Sequence, residues 1–320
     1  GSGLSEIAGF LQNEAVDYLG VAYVDEAVEL RKKGISIPIM IMNPEEIDFS
    51  LFEKYNLEAE IYCQEILDRF IESGAQACIH LKLETGMNRL GFSVSDLPRL
   101  LQTLQAHPSI PVRGIFTHFS SSDASQEDAF THTQAGTFQK MAKEINTLLS
   151  NKPILHAVNS SGIVRFPEYH FDMVRLGIGL HGFDPTGELT LEPVSQLKTS
   201  ISQIKKLSKG ESVGYSRKGQ LHQDSEIAIL PIGYADGYLR VFGNGAGKVK
   251  IGDRFAPTIG NICMDMTMID VTGLNAESGD EVIVFGTSPT IQDLATWAGT
   301  IPYEILTNVS ERVKRVYVSE

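Results

Sequence analysis

The stretch Ile79-His80-Leu81-Lys82-Leu83-Glu84 alternates apolar and polar side chains. As a β-strand it sends Ile79, Leu81 and Leu83 to one face and His80, Lys82 and Glu84 to the other. A lysine turned into a protein interior is costly unless it is paired, deprotonated or chemically altered. The plainer reading sets Lys82 near a strand end, where it reaches solvent, and both readings stand. The next turn, Thr85-Gly86-Met87-Asn88-Arg89, offers a guanidinium that can clamp a carboxylate through two hydrogen bonds. His118 closes a later run, His156 lies in another, and Arg175 sits in Met173-Val174-Arg175-Leu176-Gly177-Ile178. Asn159-Ser160-Ser161-Gly162 supplies small hydrogen-bonding groups ahead of a short helix, which suits an anion. A single strand histidine is more often structural than reactive. The weight lies in four polar residue types recurring at successive strand ends.

The elements that must position these groups alternate. Apolar runs predict strands at Tyr18–Val24, Ile37–Met42, Glu58–Tyr62, Ala77–Leu83, Pro111–Thr117, Ile154–Val158 and Asp172–Leu176. Helical stretches at Leu4–Asn13, Glu45–Tyr55, Cys63–Ser73, Leu97–Ala106 and Thr131–Leu149 lie among them, with Asp25-Glu26 opening another that Gly34 stops. A βα rhythm implies a parallel sheet covered by helices. Seven strands fall one short of a closed (β/α)₈ barrel, and the simplest repair is a strand upstream of Gly1. A doubly wound sheet competes, but its Gly-rich phosphate turn is not found. Past Glu192 the rhythm changes. Ile201–Leu207, Ser225–Ile232, Lys248–Ile251, Cys263–Val271 and Glu281–Phe285 read as strands, and Val313–Val318 alternates with period two. The expected architecture is therefore α/β plus β, a barrel over 1–192 and a mainly-β domain over 193–320.

Composition narrows the chemistry. The 320 residues carry 27 Lys and Arg against 40 Asp and Glu, a formal charge of −13, which argues against a nucleic-acid partner. A mean hydropathy of −0.05 and the short Ile35–Met42 stretch leave nothing resembling a membrane span. Three cysteines, Cys63, Cys78 and Cys263, make neither a disulfide framework nor a zinc pattern. No metal is expected, and a reducing, cytoplasmic setting fits best.

Six blocks together resemble alanine racemase, the pyridoxal-phosphate (PLP) enzyme that interconverts L- and D-alanine for bacterial cell walls. They are His80–Phe92, Gly114–Phe119, His156–Pro167, Phe171–Gly182, Pro231–Tyr238 and Gly260–Val271, in order along nearly the whole chain. Ile37–Glu46 also resembles the racemase half of fusions to the D-Ala-D-Ala-adding muramyl ligase. The resemblance implies a (β/α)₈ barrel, a C-terminal β domain, and a homodimer whose sites are shared. Arg175 matches the arginine that faces the pyridine nitrogen, with His118 and His156 flanking it. Ser160, Gly177, Ile178 and Tyr303 match phosphate-binding positions. Tyr215 matches the tyrosine that handles the Cα proton on one face of the substrate. Arg89 matches the residue gripping the substrate carboxylate, Met264 and Asp265 the substrate-side pair, and Tyr234 a residue lining the entrance. Lys82 matches a lysine that is often carbamylated, the anion so formed holding Arg89 in place.

Two departures stand out. The family's cofactor-bearing lysine and its neighbouring phosphate-binding tyrosine are expected upstream of Gly1, where the missing first strand is also expected. His181 stands where the family usually has tyrosine. Two other functions stay open on these residues: a non-catalytic PLP-binding module, or a racemase of another small amino acid such as serine, the pocket being narrowed by Tyr234 and Tyr303.

Overall fold

The computed structural model describes residues 2–43 and 48–318. Its chain divides into two compact units. One comprises Leu4–Leu180 and Asp184–Thr190; the other comprises His181–Phe183 and the residues from Leu191 onward, together with Ser2 and Gly3.

The first unit alternates strand and helix. Helix α1 (Leu4–Asn13) is followed by β1 (Leu19–Val21), α2 (Val24–Lys32), β2 (Ile39–Ile41), α3 (Ser50–Lys54) and β3 (Glu58–Ile61). Then come α4 (Gln64–Ser73), β4 (Ile79–Lys82), α5 (Leu97–Ala106), β5 (Val112–Phe116), α6 (Asp128–Asn146), β6 (Ile154–His156) and α7 (Ser160–Arg165). The six strands pair in sequence order, every pair parallel. A doubly wound sheet would reverse its strand order part-way, whereas this sheet steps one way round as a barrel wall does. Local chemistry fixes the connections. Glu26 accepts from the Ala22 and Tyr23 amides at 2.8 and 2.9 Å, closing the start of α2. Arg31 donates to the carbonyls of Ile35, Ile37, Tyr55 and Asn56, tying two αβ turns to one helix end. Gly34 and Gly74 end α2 and α4 with φ of 89° and 69°.

Four expectations change. The helix expected from Glu45 begins at Ser50, and Pro44–Ile47, which include the end of the fusion-like motif, lie outside the described residues. The seventh strand, Asp172–Leu176, contracts to one parallel bridge between Met173 and His156, because only the Asp172 and Arg175 amides reach the strand beside it, at Leu155 and Val158. The core lies between the sheet and its helices. It includes Ile39, Ile41, Ala59, Ile61, Ile79, Leu81 and Ile115, with Phe52, Phe70, Leu100 and Phe138 facing them from the helices.

The second unit is antiparallel. It comprises β7 (Leu197–Ser200), β8 (Gln203–Leu207), β9 (Ser212–Val213), β10 (Gly219–Gln220), β11 (Ser225–Leu230), β12 (Lys248–Ile251), β13 (Arg254–Pro257), β14 (Thr267–Asp270) and β15 (Glu281–Phe285). Two helices follow, α8 (Ile291–Ala298) and α9 (Pro302–Thr307). The strands form sheets in the orders β14-β11-β8, β13-β12-β15-β7 and β10-β9. The third change falls here: Val313–Val318 forms no strand despite its alternation. Arg315 instead donates to the carbonyls of Val309, Ser310, Glu311 and Val313, folding the segment on itself. Cys263–Met266 is a loop, and strand starts only at Thr267.

Candidate active site

The period-two reading of β4 carries into three dimensions, and β3 supplies what the sequence reading missed. Glu58 and Glu60 stand on one face of β3 beside His80 and Lys82 on β4. His80 Nε2 lies 2.6 Å from Glu58 Oε2, and Lys82 Nζ lies 3.0 Å from Glu60 Oε1. The Lys82 and Glu60 side chains are only 6% and 0% exposed, so the buried lysine meets a buried carboxylate. The alternation Glu58-Ala59-Glu60-Ile61 was the signal that could have found it. Burial pushes the Glu60 carboxyl up, and Lys82, Arg175 and Arg89 pull it back without cancelling the shift.

His80 continues the chain of contacts. Its Nδ1 is 3.2 Å from His156 Nε2, and His156 Nδ1 is 2.8 Å from Arg175 NH1. Arg175 NH2 donates to the Thr117 and Ala157 carbonyls at 2.8 and 2.9 Å and lies 3.3 Å from His118 Nδ1. His156, Phe116, Lys82 and Arg175 are layered: the imidazole stacks on Phe116 at 4.7 Å, and both cations sit over that ring. The guanidinium is thus held by its two terminal nitrogens, and among the described residues its Nε has no partner. Burial pushes His118 down to about 3, Arg175 and Arg89 adding to the effect, and holds His156 well below its usual range. Burial also brings Arg175 down to about 10. At neutral pH both histidines are neutral and the arginine is charged.

Ser160, Gly177 and Ile178 come together beside this group. Ser160 Oγ accepts from the Gly177 and Gly179 amides at 3.0 and 3.3 Å, which leaves its own hydrogen free to donate. The Ile178 amide has no partner among the described residues. Asn159 caps α7 through the Gly162 amide at 3.0 Å. Arg89 lies past β4 on a turn that Glu84 organises by accepting from the Gly86 and Arg89 amides. Burial alone would raise the Glu84 carboxyl, but these amides and those of Asn88 and Met87 hold it low. Gly91, at φ 133°, closes the turn where a Cβ would lie 2.6 Å from the Glu84 nitrogen. Arg89 is exposed and, with Tyr62, Cys63 and Glu84, lines a cleft of about 290 Å³.

The other matched residues belong to the second unit. Tyr215 follows Gly214 at the tip of the β9–β10 hairpin and is 66% exposed. Its carbonyl accepts from Asn261 Nδ2 at 3.2 Å. Met264 is exposed, and its amide has no partner among the described residues. Tyr234 begins a short turn pinned to the same loop, its amide donating to the Cys263 carbonyl at 3.1 Å and that of Ala235 to the Met264 carbonyl at 3.0 Å. Asp265 is held by Arg312, which also grips Asp236, each at 2.7 Å. Arg312 was not foreseen, since a charged residue so late in the sequence has no local pattern linking it to that loop. Tyr303 lies in the first turn of α9 and is exposed. His181 Nδ1 lies 3.4 Å from Ser2 Oγ, a contact within this second unit.

Two family descriptions match the chain, "Alanine racemase, N-terminal domain" over residues 1–185 and "Alanine racemase, C-terminal domain" over 194–317. This chain belongs to the alanine racemase family. Alanine racemase 1 of Clostridium acetobutylicum is 39% identical to it over 339 residues, covering 99% of this chain and 86% of that protein. The alanine racemase of Treponema denticola is 38% identical over 341 residues, covering 100% and 89%. Among solved structures, alanine racemase from Clostridium difficile 630 superposes with a TM-score of 0.90 at 34% identity, covering 99% of this chain and 86% of that one. The enzyme from D-cycloserine-producing Streptomyces lavendulae gives 0.92 at 30% identity, covering 100% and 88%.

Alanine racemases are PLP enzymes, and the residues of this chain fit that cofactor. The unpartnered Arg175 Nε is a donor for a ring nitrogen. The Ile178 amide and the Ser160 hydroxyl are donors for a phosphate, at a helix start where anions are favoured.

Proposed function

We propose that this alanine racemase family member interconverts L- and D-alanine with PLP, and that it works in the cytoplasm as a homodimer supplying D-alanine for peptidoglycan. Residues 1–192 act as the cofactor-binding domain and 193–320 as the β domain. The observation that carries the reading is the Arg175 guanidinium, fixed by four bonds and flanked by two neutral histidines, with Nε left open. Bound PLP supplies an electron sink that makes the Cα proton of an amino acid removable.

The chain's own residues do the rest. An arginine keeps its proton near neutrality. Arg175 therefore donates a hydrogen bond to the ring nitrogen without protonating it, which limits how far charge spreads and disfavours transamination. Ser160, Gly177, Ile178 and Tyr303 hold the phosphate. Arg89 and the Met264 amide hold the substrate carboxylate, while Asp265 and Tyr234 shape the substrate side. The partner subunit's Tyr215 takes or gives the Cα proton on one face, and in the family a lysine serves the other. Bases on opposite faces invert the centre without turning the substrate over. The exposure of Tyr215, Met264 and Tyr234 supports a role for a second copy, since side chains that sit open here can be covered there.

The test uses the natural-length protein saturated with PLP in deuterated water, with the chirality and deuterium content of alanine followed together. Deuterated D-alanine from L-alanine is the expected product; none from PLP-saturated protein sinks the proposal. In Tyr215→Phe, exchange of the proton on one enantiomer should slow by about 10²–10⁴ with PLP absorbance unchanged.

A further inference from the structure

Glu60 is fully buried, yet neither carboxylate oxygen has a hydrogen-bond partner of good geometry among the described residues. Its one ionic contact is Lys82 Nζ at 3.0 Å. A buried carboxylate is retained only where positive charge offsets the loss of water. Three cations do so here: Lys82, Arg175 and Arg89. The neighbouring carboxylates are committed elsewhere, Glu58 to His80 and Arg113, Glu84 to the amides of its turn. Among the described residues, no other carboxylate pairs with Lys82.

From this we infer that Glu60 is a positioning residue of the racemase reaction: it supplies the negative charge of the barrel interior, holds Lys82 unmodified, and acts through that pair on Arg89. The inference rests on the alanine racemase reading above. Carbamylation would need the Lys82 nitrogen to place a lone pair on the carbon of CO₂, forming one N–C bond while one C–O π bond opens onto oxygen, with two protons leaving the nitrogen in all. Lys82 Nζ already lies 3.0 Å from Glu60 Oε1, a contact that a carbamate would have to break. The product would also set a second anion beside Glu60 in a dry interior, where like charges repel strongly. Glu60 therefore takes the place of the carbamate. Replacing it by glutamine keeps the shape, removes the charge, and frees Lys82 to react with CO₂.

The natural-length protein and its Glu60→Gln variant are equilibrated with ¹³C-bicarbonate and examined by ¹³C NMR and intact mass. The unsubstituted protein should show no carbamate carbon, and its activity should be indifferent to removal of CO₂. Glu60→Gln should show that carbon, and Lys82→Arg added to it should abolish the signal. Without CO₂, Glu60→Gln should raise KM for alanine about tenfold with kcat changed less than about threefold, and bicarbonate should restore it. A carbamate carbon in the unsubstituted protein overturns the inference, and does so even if no Glu60 variant folds. So does a Glu60→Gln protein with unchanged KM and no response to bicarbonate. Failure of the racemase reading would look different: no protein would make D-alanine, while the carbon signal would still report the state of Lys82.

Discussion

The two histidines around Arg175 bear opposite burdens from ordinary surface histidines. His118 is pushed down to about 3 by burial and by the cations near it, from an ordinary value of 6.5. A group whose folded pKa is depressed stabilises the fold above its unfolded pKa and loses that contribution as pH falls toward the folded one. Denaturant unfolding should therefore show stability declining below pH 6.5, by up to about 1.4 kcal/mol per pH unit for each histidine that stays neutral. His156 adds to the same slope. His118→Asn, which cannot titrate, should flatten the slope between pH 6.5 and 4; an unchanged slope would place the titration elsewhere. These residues were legible because each stands in a run with a fixed period or at its end. Glu60 and Glu58 obeyed the same period and passed unnoticed, because an acidic strand looks like a solvated one until its neighbours are known. Arg312 could not be read at all, since its partners lie 47 and 76 residues earlier.

Elements place these residues to within an atom. On β5, Gly114 stands opposite His80 in register, and a Cβ there would come within 2.2 Å of the His80 ring. Gly114→Ala must push the imidazole off both Glu58 and His156. The expected cost is about 1–3 kcal/mol in unfolding free energy, with kcat falling more than PLP affinity. A variant as stable and active as the parent would show that His80 can give way freely. Most strands were visible in advance, because hydrophobic runs bounded by Gly, Asn and Asp need no tertiary information. The exceptions are instructive. Asp172–Leu176 has the composition of a strand, but its amides find acceptors in only one neighbour. Val313–Val318 has the alternation of a strand, but Arg315 draws the local carbonyls to itself. In both, the deciding factor is where backbone hydrogen bonds can go.

At the scale of the molecule, the family match explains why the candidate residues fall into two sets. Arg175, His118, His156, Ser160 and Arg89 belong to one unit; Tyr215, Tyr234, Met264, Asp265 and Tyr303 belong to the other. If each site draws on two subunits, inactive variants from the two sets should complement. Mixing Tyr215→Phe with Arg175→Lys, then allowing subunits to exchange, should restore about a quarter of full activity, since half the dimers are mixed and each has one intact site. No recovery after demonstrated exchange would show that the sites are not shared. The change of rhythm near Glu192 is what suggests a second fold in the sequence alone; the assignment of working residues to each part needed the family.

The Arg312 clamp has a consequence for the loop it holds. One guanidinium grips Asp236 and Asp265, each at 2.7 Å, so a single side chain latches two turns at once. Arg312→Ala should keep the barrel and the sheets while losing alanine affinity, a deficit visible in KM and in protease cleavage at the loop.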